Sequence, residues 1–169
     1  MALVKIISGA KDAGKTKTAA AIVEDLKRQG KRVAGFLSVA ETVSKNSYFL
    51  VNIESGERMK AVSMIKPAGG DCWIQYNFSR FWFSETAFTA AGRLIDEIAV
   101  SSQDHFPDAV FIDEIGPLEL SGKGFMNPLK RLLKDYNGIV FLAVRESLVD
   151  VIISELCLKT PEIISAQAQ

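Results

Sequence analysis

Cysteine and histidine are scarce in this chain of 169 residues, which contains two cysteines, Cys72 and Cys157, and one histidine, His105. Neither cysteine has a second cysteine or a histidine near it in the sequence, so no zinc-ligand spacing is present. We therefore predict reduced thiols in a reducing cytoplasm and no zinc site. His105 precedes Phe106 and Pro107, and we interpret it as an ordinary loop residue.

Net charge is also lacking, because 20 basic residues balance 20 acidic ones. A neutral chain has no overall field that attracts nucleic acid or anionic lipid, so we expect neither as a partner. No apolar run reaches the length of a membrane span, and the run within residues 1–7 is too short for a signal peptide. We expect a soluble cytoplasmic protein, and the question of a protein partner stays open.

Apolar residues make up 48% of the chain and charged residues 24%, which is the balance of a globular protein. Short apolar strands alternate with amphipathic helices. The predicted strands cover 3–8, 32–38, 108–112 and 139–144, and the predicted helices cover 15–29, 84–101, 128–136 and 147–156. This alternation predicts a three-layer α/β/α fold with a mostly parallel central sheet. No linker or repeat interrupts the pattern, so we assign residues 1–169 to a single domain.

One insertion departs from this plan. Two β-rich pieces, 47–53 and 58–65, are joined by residues 54–57, whose Glu-Ser-Gly-Glu sequence is typical of a hairpin turn. Residues 67–71 predict a loop. An aromatic stretch follows, with Trp73, Tyr76, Phe78, Phe81, Trp82 and Phe83. We favour packing of these rings against the hairpin over stacking on a base or binding a partner.

The segment after the first strand matches the phosphate-binding loop spacing G-x-x-x-x-G-K-[ST], with a strand before it and a helix after it. A polyphosphate needs backbone amides directed at its oxygens, and the beginning of a helix supplies them with a favourable dipole. Two glycines allow the backbone to approach the phosphates closely. The predicted nucleotide-binding residues are Gly9, Ala10, Lys11, Asp12, Ala13, Gly14, Lys15, Thr16 and Lys17.

Several residues of this loop have distinct predicted roles. We expect Lys15 to reach the β- and γ-phosphates and to act in catalysis, and the Thr16 hydroxyl to bind Mg²⁺. Asp12 brings in a carboxylate that would repel phosphate if it pointed inward. Because aspartate tolerates unusual φ angles, we expect its side chain to point outward, with Lys11 offsetting its charge.

An acidic pair directly follows the predicted strand 108–112. P-loop enzymes bind Mg²⁺ with an acidic residue at such a strand end, which predicts Asp113 as a ligand of the metal or a partner of its ligands. Glu114 is expected to face the γ-phosphate and to activate water. Asp113 and Gly116 also fit the D-x-x-G of GTPase switch regions. We favour the ATPase-type arrangement because N-K-x-D is absent and Pro117 stands where a flexible switch is expected.

The run from residue 113 to 120, D-E-I-G-P-L-E-L, followed by Phe125, resembles the signature D-E-I-G-x-[ML]-E-L…F of the small THEP-type nucleoside-triphosphatase family. The P-loop, residues 35–38 with Glu41, and the turn at 54–57 also match, so the resemblance covers most of the chain. It implies a RecA-like P-loop fold, Mg²⁺-dependent hydrolysis of ATP and other nucleotides, and kinship to nucleotide kinases.

The chain departs from this family pattern in places. Asp12 stands where a glycine is common, and Arg145 stands where the family tends to have a histidine followed by a basic residue. A cation near the γ-phosphate lowers the barrier, so Arg145 is either a charge stabiliser or a surface arginine. Glu119 belongs to the signature, and we interpret it as a structural residue that fixes the loop after the acidic pair.

These residues together predict a Mg²⁺-dependent nucleoside-triphosphatase that converts ATP, and other nucleoside triphosphates, to the diphosphate and phosphate. Two alternatives stay open. A nucleotide or nucleoside kinase would need an acceptor pocket and an arginine-bearing lid, for which no arginine cluster is evident. A nucleotide-binding accessory or switch protein would turn over slowly. Base preference is not encoded in a P-loop, because its contacts are to phosphates.

Overall fold

The computed structural model describes residues 2–41, 46–69, 72–101 and 106–166. The strands are β1 (Leu3–Gly9), β2 (Val33–Ala40), β3 (Ser47–Asn52), β4 (Arg58–Ser63), β5 (Trp73–Gln75), β6 (Trp82–Ser84), β7 (Ala109–Ile115), β8 (Ile139–Arg145) and β9 (Glu162–Ser165). The helices are α1 (Lys15–Arg28), α2 (Glu85–Val100), α3 (Pro117–Leu120), α4 (Met126–Asp135) and α5 (Val149–Glu155). His105 and residues 70 and 71 of the predicted loop lie outside the described ranges.

The described strands form one mixed sheet in the order β5-β6-β4-β3-β2-β7-β8-β1-β9, of which β2, β7, β8, β1 and β9 are parallel. Helices cover both faces of this parallel part, which explains its continuous apolar strands. On one face, Val23 of α1 shares a buried cluster with Ile7 and Phe141. On the other face, α2, α4 and α5 contribute to a larger cluster that includes Ile95 and Leu129. The predicted three-layer fold is confirmed.

The inserted hairpin is confirmed and belongs to a larger antiparallel extension. β3 pairs with β2 and with β4, and the carboxamide oxygen of Asn52 accepts hydrogen bonds from the amides of Glu54 and Ser55 in the turn. β6 then pairs with β4, and β5 with β6, so the aromatic stretch adds two short strands. The sequence-based prediction lacks β5, β6 and β9, because three or four residues carry too little periodicity.

The boundaries of α2 and β7 can be compared with their predicted positions. α2 begins after Ser84, as predicted, and the Ser84 hydroxyl oxygen accepts a hydrogen bond from the amide of Ala87 at 3.0 Å. β7 continues to Ile115, three residues beyond the predicted end, so Asp113 and Glu114 lie within the strand. No helix in the described part of the chain is long and apolar enough to cross a membrane.

The parallel strands β2 and β7 approach each other closely at Gly35. Its φ of 104° lies in the region that favours glycine, and a Cβ atom at this position would overlap the carbonyl oxygen of Phe111. Gly30, after α1, also has a positive φ of 76°, yet a Cβ there would meet no described atom within 4 Å. Substitution by alanine would cause backbone strain at both glycines but steric overlap only at Gly35, so comparing the two variants distinguishes these costs.

We expect Gly35→Ala to lower the free energy of unfolding by more than about 3 kcal/mol, because strain and overlap with backbone add. Gly30→Ala carries only the conformational cost, about 1 kcal/mol. Urea unfolding followed by circular dichroism measures both. Equal losses in the two variants would show that the close approach of β2 and β7 is unimportant.

Candidate active site

The loop between β1 and α1 leaves the first amides of α1 available to a ligand. Gly14, which precedes α1, has a φ of 85°, no described side chain caps the helix, and its first turn contains no acidic residue. Asp12 is exposed and has a φ of 61°, the kind of unusual backbone angle that the sequence analysis expects at this residue. Helix amides without a capping side chain bind anions readily. The loop therefore has the backbone of an anion site.

The Lys15 side chain folds back against this loop. Its ammonium group donates hydrogen bonds to the carbonyl oxygens of Gly9 at 3.3 Å and Ala10 at 2.9 Å. A Cβ atom at Gly9 would lie 3.1 Å from the Cβ atoms of Ala13 and Ala166, so little more than glycine fits there. The loop and its lysine thus combine amide donors with a positive charge, as phosphate binding requires.

Asp113 joins the end of β7 to β2 and to the first turn of α1. The amide of Ser38 donates to Asp113 Oδ2 at 2.9 Å, and the Thr16 hydroxyl lies 3.3 Å from the Ser38 carbonyl oxygen, to which it donates. Burial raises the pKa of Asp113 to about 6, although hydrogen bonds from Ser38 and Thr16 oppose the rise. A buried carboxylate of this kind is stabilised by a nearby cation.

The donor set around Asp113 fits Mg²⁺. Among the described residues, no group of three or more histidine, cysteine, aspartate or glutamate side chains could hold a metal. Mg²⁺ needs no such cage in a phosphate site, because it keeps water and phosphate oxygens and takes one or two protein oxygens. The Thr16 hydroxyl and the Asp113 carboxylate supply oxygens of this type, and both are bonded to Ser38.

Glu114 points away from the buried side of the strand. The pairing of β7 with β8 shifts register between Ile112 and Ile115, and Glu114 has a φ of 73°. A positive φ outside glycine costs about 1–3 kcal/mol and often occurs at functional sites. As a result, Asp113 is buried while the Glu114 side chain is 43% exposed. Two consecutive carboxylates therefore lie in different environments.

Arg145 lies beside Glu114. It is the last residue of β8, in register with Gly9 of β1, and its guanidinium Nη2 is 3.5 Å from Glu114 Oε1. The Arg145 side chain is 39% exposed. Of the two sequence-based interpretations, a position next to the acidic pair favours the charge stabiliser over a surface arginine remote from the site.

Glu119 of α3 holds the backbone that follows Glu114. Its Oε2 accepts a hydrogen bond from the Gly116 amide at 3.0 Å, whereas Oε1 has no hydrogen-bond partner in the described part of the chain. The residue is 2% exposed, and burial raises the pKa of its carboxyl to about 8, with a smaller contribution from the charge of Glu114. The predicted structural role agrees with this contact; the unpaired oxygen has no signal in the sequence.

This raised pKa of Glu119 predicts a pH-dependent stability. The folded protein keeps the proton up to about pH 8, while the unfolded chain loses it near 4.5, so the folded state binds more protons between these values. Stability from this group is fully present below about pH 4.5 and is lost as the pH rises toward 8.

We therefore expect the unfolding free energy of the wild type, relative to Glu119→Gln, to fall from about pH 5 to about pH 8. Glutamine still accepts from the Gly116 amide but does not titrate, so it serves as the reference. Urea unfolding of both proteins across this pH range measures the difference. A difference independent of pH would refute the buried, protonated carboxyl.

A cavity of about 270 Å³ lies beside Glu114, on the side of the antiparallel strands. Most of its lining is apolar, and its charged lining includes both Arg80 and Arg145. The sequence analysis finds no arginine cluster, because these two residues are far apart in the chain and only the fold brings them to one cavity. Apolar and aromatic lining residues are Tyr48, Leu50, Val62, Phe78, Phe81, Phe83, Phe88, Leu118 and Phe125.

The aromatic stretch therefore has two roles. Phe81 and Phe83 are half-buried, as the packing interpretation expects, and they also line the cavity. Phe78 is 42% exposed, lines the same cavity and stacks on Tyr76 with ring centroids 5.3 Å apart. Packing against the hairpin is thus only part of what these rings do.

Comparison with known proteins gives a consistent result. The model of a family described as NTPase matches residues 5–164. The nucleoside-triphosphatase THEP1 of Pyrococcus abyssi (strain GE5 / Orsay) is 26% identical over 148 residues, which are 85% of this chain and 75% of that protein.

Two solved structures share the fold over 97% of this chain. The crystal structure of THEP1 from the hyperthermophile Aquifex aeolicus matches with a TM-score of 0.69 and 21% identity over 90% of that chain. The solution structure of a human cancer-related nucleoside triphosphatase matches with a TM-score of 0.68 and 22% identity over 88% of that chain.

Proposed function

This chain belongs to the NTPase family and is a nucleoside-triphosphate hydrolase, and from this premise we propose that it hydrolyses ATP, and other nucleoside triphosphates, with Mg²⁺. We further propose that residues 1–169 form one domain. The observation that carries the proposal is the contact of three elements through Ser38, which links Thr16 of α1 to Asp113 of β7. This contact brings an anion-binding loop and a metal-binding carboxylate to one place.

Nucleotide binding is assigned to the loop from Gly9 to Lys17. Its amides and the Lys15 ammonium group would bind the β- and γ-phosphates in place of the present lysine contacts to loop carbonyls. Mg²⁺, when bound, would be held by the Thr16 hydroxyl and the Asp113 carboxylate, and it supplies neutralisation of phosphate charge.

Glu114 is the proposed general base. A water oxygen attacks the γ-phosphorus, the bond from phosphorus to the bridging oxygen breaks, and Glu114 accepts the proton of the water. Arg145 lies next to Glu114 and can stabilise negative charge on the transferred group. Lys15 acts on the same charge from the loop side. The irregularity of β7 exposes the carboxylate that must reach water, while Asp113 stays buried.

The partners and location follow the same proposal. A nucleoside triphosphate is the substrate, and the balance of 20 basic and 20 acidic residues supports neither nucleic acid nor an anionic membrane as a partner. A cytoplasmic location is the corresponding proposal. Phosphate release from ATP, GTP, CTP and UTP, with Mg²⁺ and with EDTA, measures base preference and metal dependence together.

Glu114→Gln should bind nucleotide normally and release phosphate at least about 100-fold more slowly, because glutamine cannot accept the proton. Glu146→Gln is the matched control, since Glu146 is also an exposed glutamate close to Arg145 in the chain. Phosphate release and the binding of a fluorescent ATP analogue are measured on both variants. Turnover of Glu114→Gln equal to that of the control would remove Glu114 from the mechanism.

A further inference from the structure

The cavity beside Glu114 has an aromatic wall and additional cations, and hydrolysis with water as the acceptor requires neither. We propose that this cavity is an acceptor site for a small phosphate monoester with an aromatic body, such as a nucleoside monophosphate. The chain would then transfer the γ-phosphoryl group to that phosphate as well as to water. This inference rests on the proposed function for the nucleotide-binding loop and the acidic pair.

The inserted strands provide much of the cavity wall. Tyr48 and Leu50 on β3, Val62 on β4 and Phe83 on β6 line it, and none of these residues belongs to the parallel part of the sheet that carries the phosphate loop. An extension that serves only to cover the sheet would fill this space with side chains. Instead it leaves room directly beside the catalytic carboxylate.

The chemistry of the wall suits a flat ring. Phe78, which is 42% exposed, and the half-buried Phe81 and Phe88 line the cavity. Aromatic side chains bind bases by stacking without requiring one particular base. The volume of about 270 Å³ lies just below the range of ligand pockets, which begins near 300 Å³. One ring system with a short anionic substituent matches that size.

Cationic residues favour an anionic acceptor over a neutral one. Lys11, Arg80 and Arg145 line the cavity together with Asp113, Glu114 and Glu119, and burial raises the pKa of the Glu119 carboxyl to about 8, so this third carboxyl is protonated at neutral pH. Arginine binds phosphate monoesters through paired, charge-assisted hydrogen bonds. Transfer between two phosphates also requires neutralisation of their repulsion, and cations placed around the cavity supply it.

Tyr48 shows how near this wall is to the catalytic groups. The pKa of Tyr48 is raised by burial and then by the negative charges of Glu114 and Asp12, while Arg145 and Arg80 lower it. The charges of Glu114, of Asp12 in the loop and of both arginines therefore act on one cavity residue. An acceptor held against Tyr48 would lie within the same set of charges.

The transfer step balances without any further reagent. A phosphate oxygen of the acceptor attacks the γ-phosphorus, a new phosphorus–oxygen bond forms, and the bond to the bridging oxygen breaks. ADP leaves, and the acceptor becomes a diphosphate. A proton present on the attacking oxygen passes to Glu114, which lines the cavity.

The test uses the full chain with Mg²⁺ and ATP labelled in the γ-phosphate. AMP, GMP, CMP, UMP and phenyl phosphate are the acceptor probes, and the corresponding nucleosides are the uncharged comparison. Thin-layer chromatography separates labelled acceptor from labelled free phosphate in the same reaction. We expect a labelled diphosphate from at least one monophosphate and none from the nucleosides.

Two variants connect transfer to the cavity. Arg80→Gln should raise the KM for the monophosphate on the order of tenfold, because one charged contact to phosphate is lost. Arg93→Gln, at an exposed arginine of α2 that does not line this cavity, is the matched control and should leave the ratio of transfer to hydrolysis unchanged. Val62→Phe should fill the cavity and lower the same ratio.

The outcomes distinguish this inference from the proposed function. Phosphate release without transfer to any phosphate monoester would overturn the acceptor site and leave the hydrolase intact. Transfer only to nucleosides, or transfer that responds to neither Arg80→Gln nor Val62→Phe, would also overturn it. Absence of Mg²⁺-dependent phosphate release in the wild type would instead contradict the proposed function itself.

Discussion

The buried carboxylate of Asp113 is the point at which the elements of this site meet. Its hydrogen bond from the Ser38 amide joins β7 to β2, and Thr16 adds the first turn of α1 through the Ser38 carbonyl oxygen. Burial of a carboxylate is unfavourable by itself, which the raised pKa of Asp113 records. A cation bound together with phosphate would offset the unfavourable burial of this carboxylate. The proposed phosphate loop, metal ligand and general base all depend on this junction.

The two parts of the sheet have different functions around that junction. The parallel part ends at the proposed phosphate loop and the acidic pair, and ligand sites of parallel sheets usually lie at the carboxyl ends of strands. The antiparallel part, added through β3, faces the acidic pair from the other side and supplies much of the cavity wall. Glu114 lies between them, and its positive φ is the local feature that exposes its carboxylate.

Local spacing in the sequence predicts the parts of this structure that depend on neighbouring residues. The loop between β1 and α1, the hairpin turn at 54–57 and the Ser84 cap are all short-range patterns, and each is found where predicted. The family resemblance extends the prediction to the whole fold, which the comparisons support. These features need no knowledge of how distant segments pack.

Features that depend on long-range packing cannot be predicted from sequence patterns. Arg80 precedes β6 and Arg145 ends β8, and only the fold brings these distant segments to one cavity, so no spacing rule relates them. The shift of register in β7 is set by pairing with β8, so the sequence predicts an end at residue 112 whereas the strand continues to Ile115. The unpaired oxygen of Glu119 likewise results from the surrounding fold.

The most direct test of this account is calorimetric titration of a non-hydrolysable ATP analogue into the wild type and into Asp113→Asn, each with Mg²⁺ and with EDTA. We predict that Mg²⁺ strengthens binding to the wild type at least about tenfold, or about 1.4 kcal/mol, and that the variant loses most of this gain. Equal affinity of the wild type in Mg²⁺ and in EDTA would contradict the junction of phosphate loop and buried carboxylate.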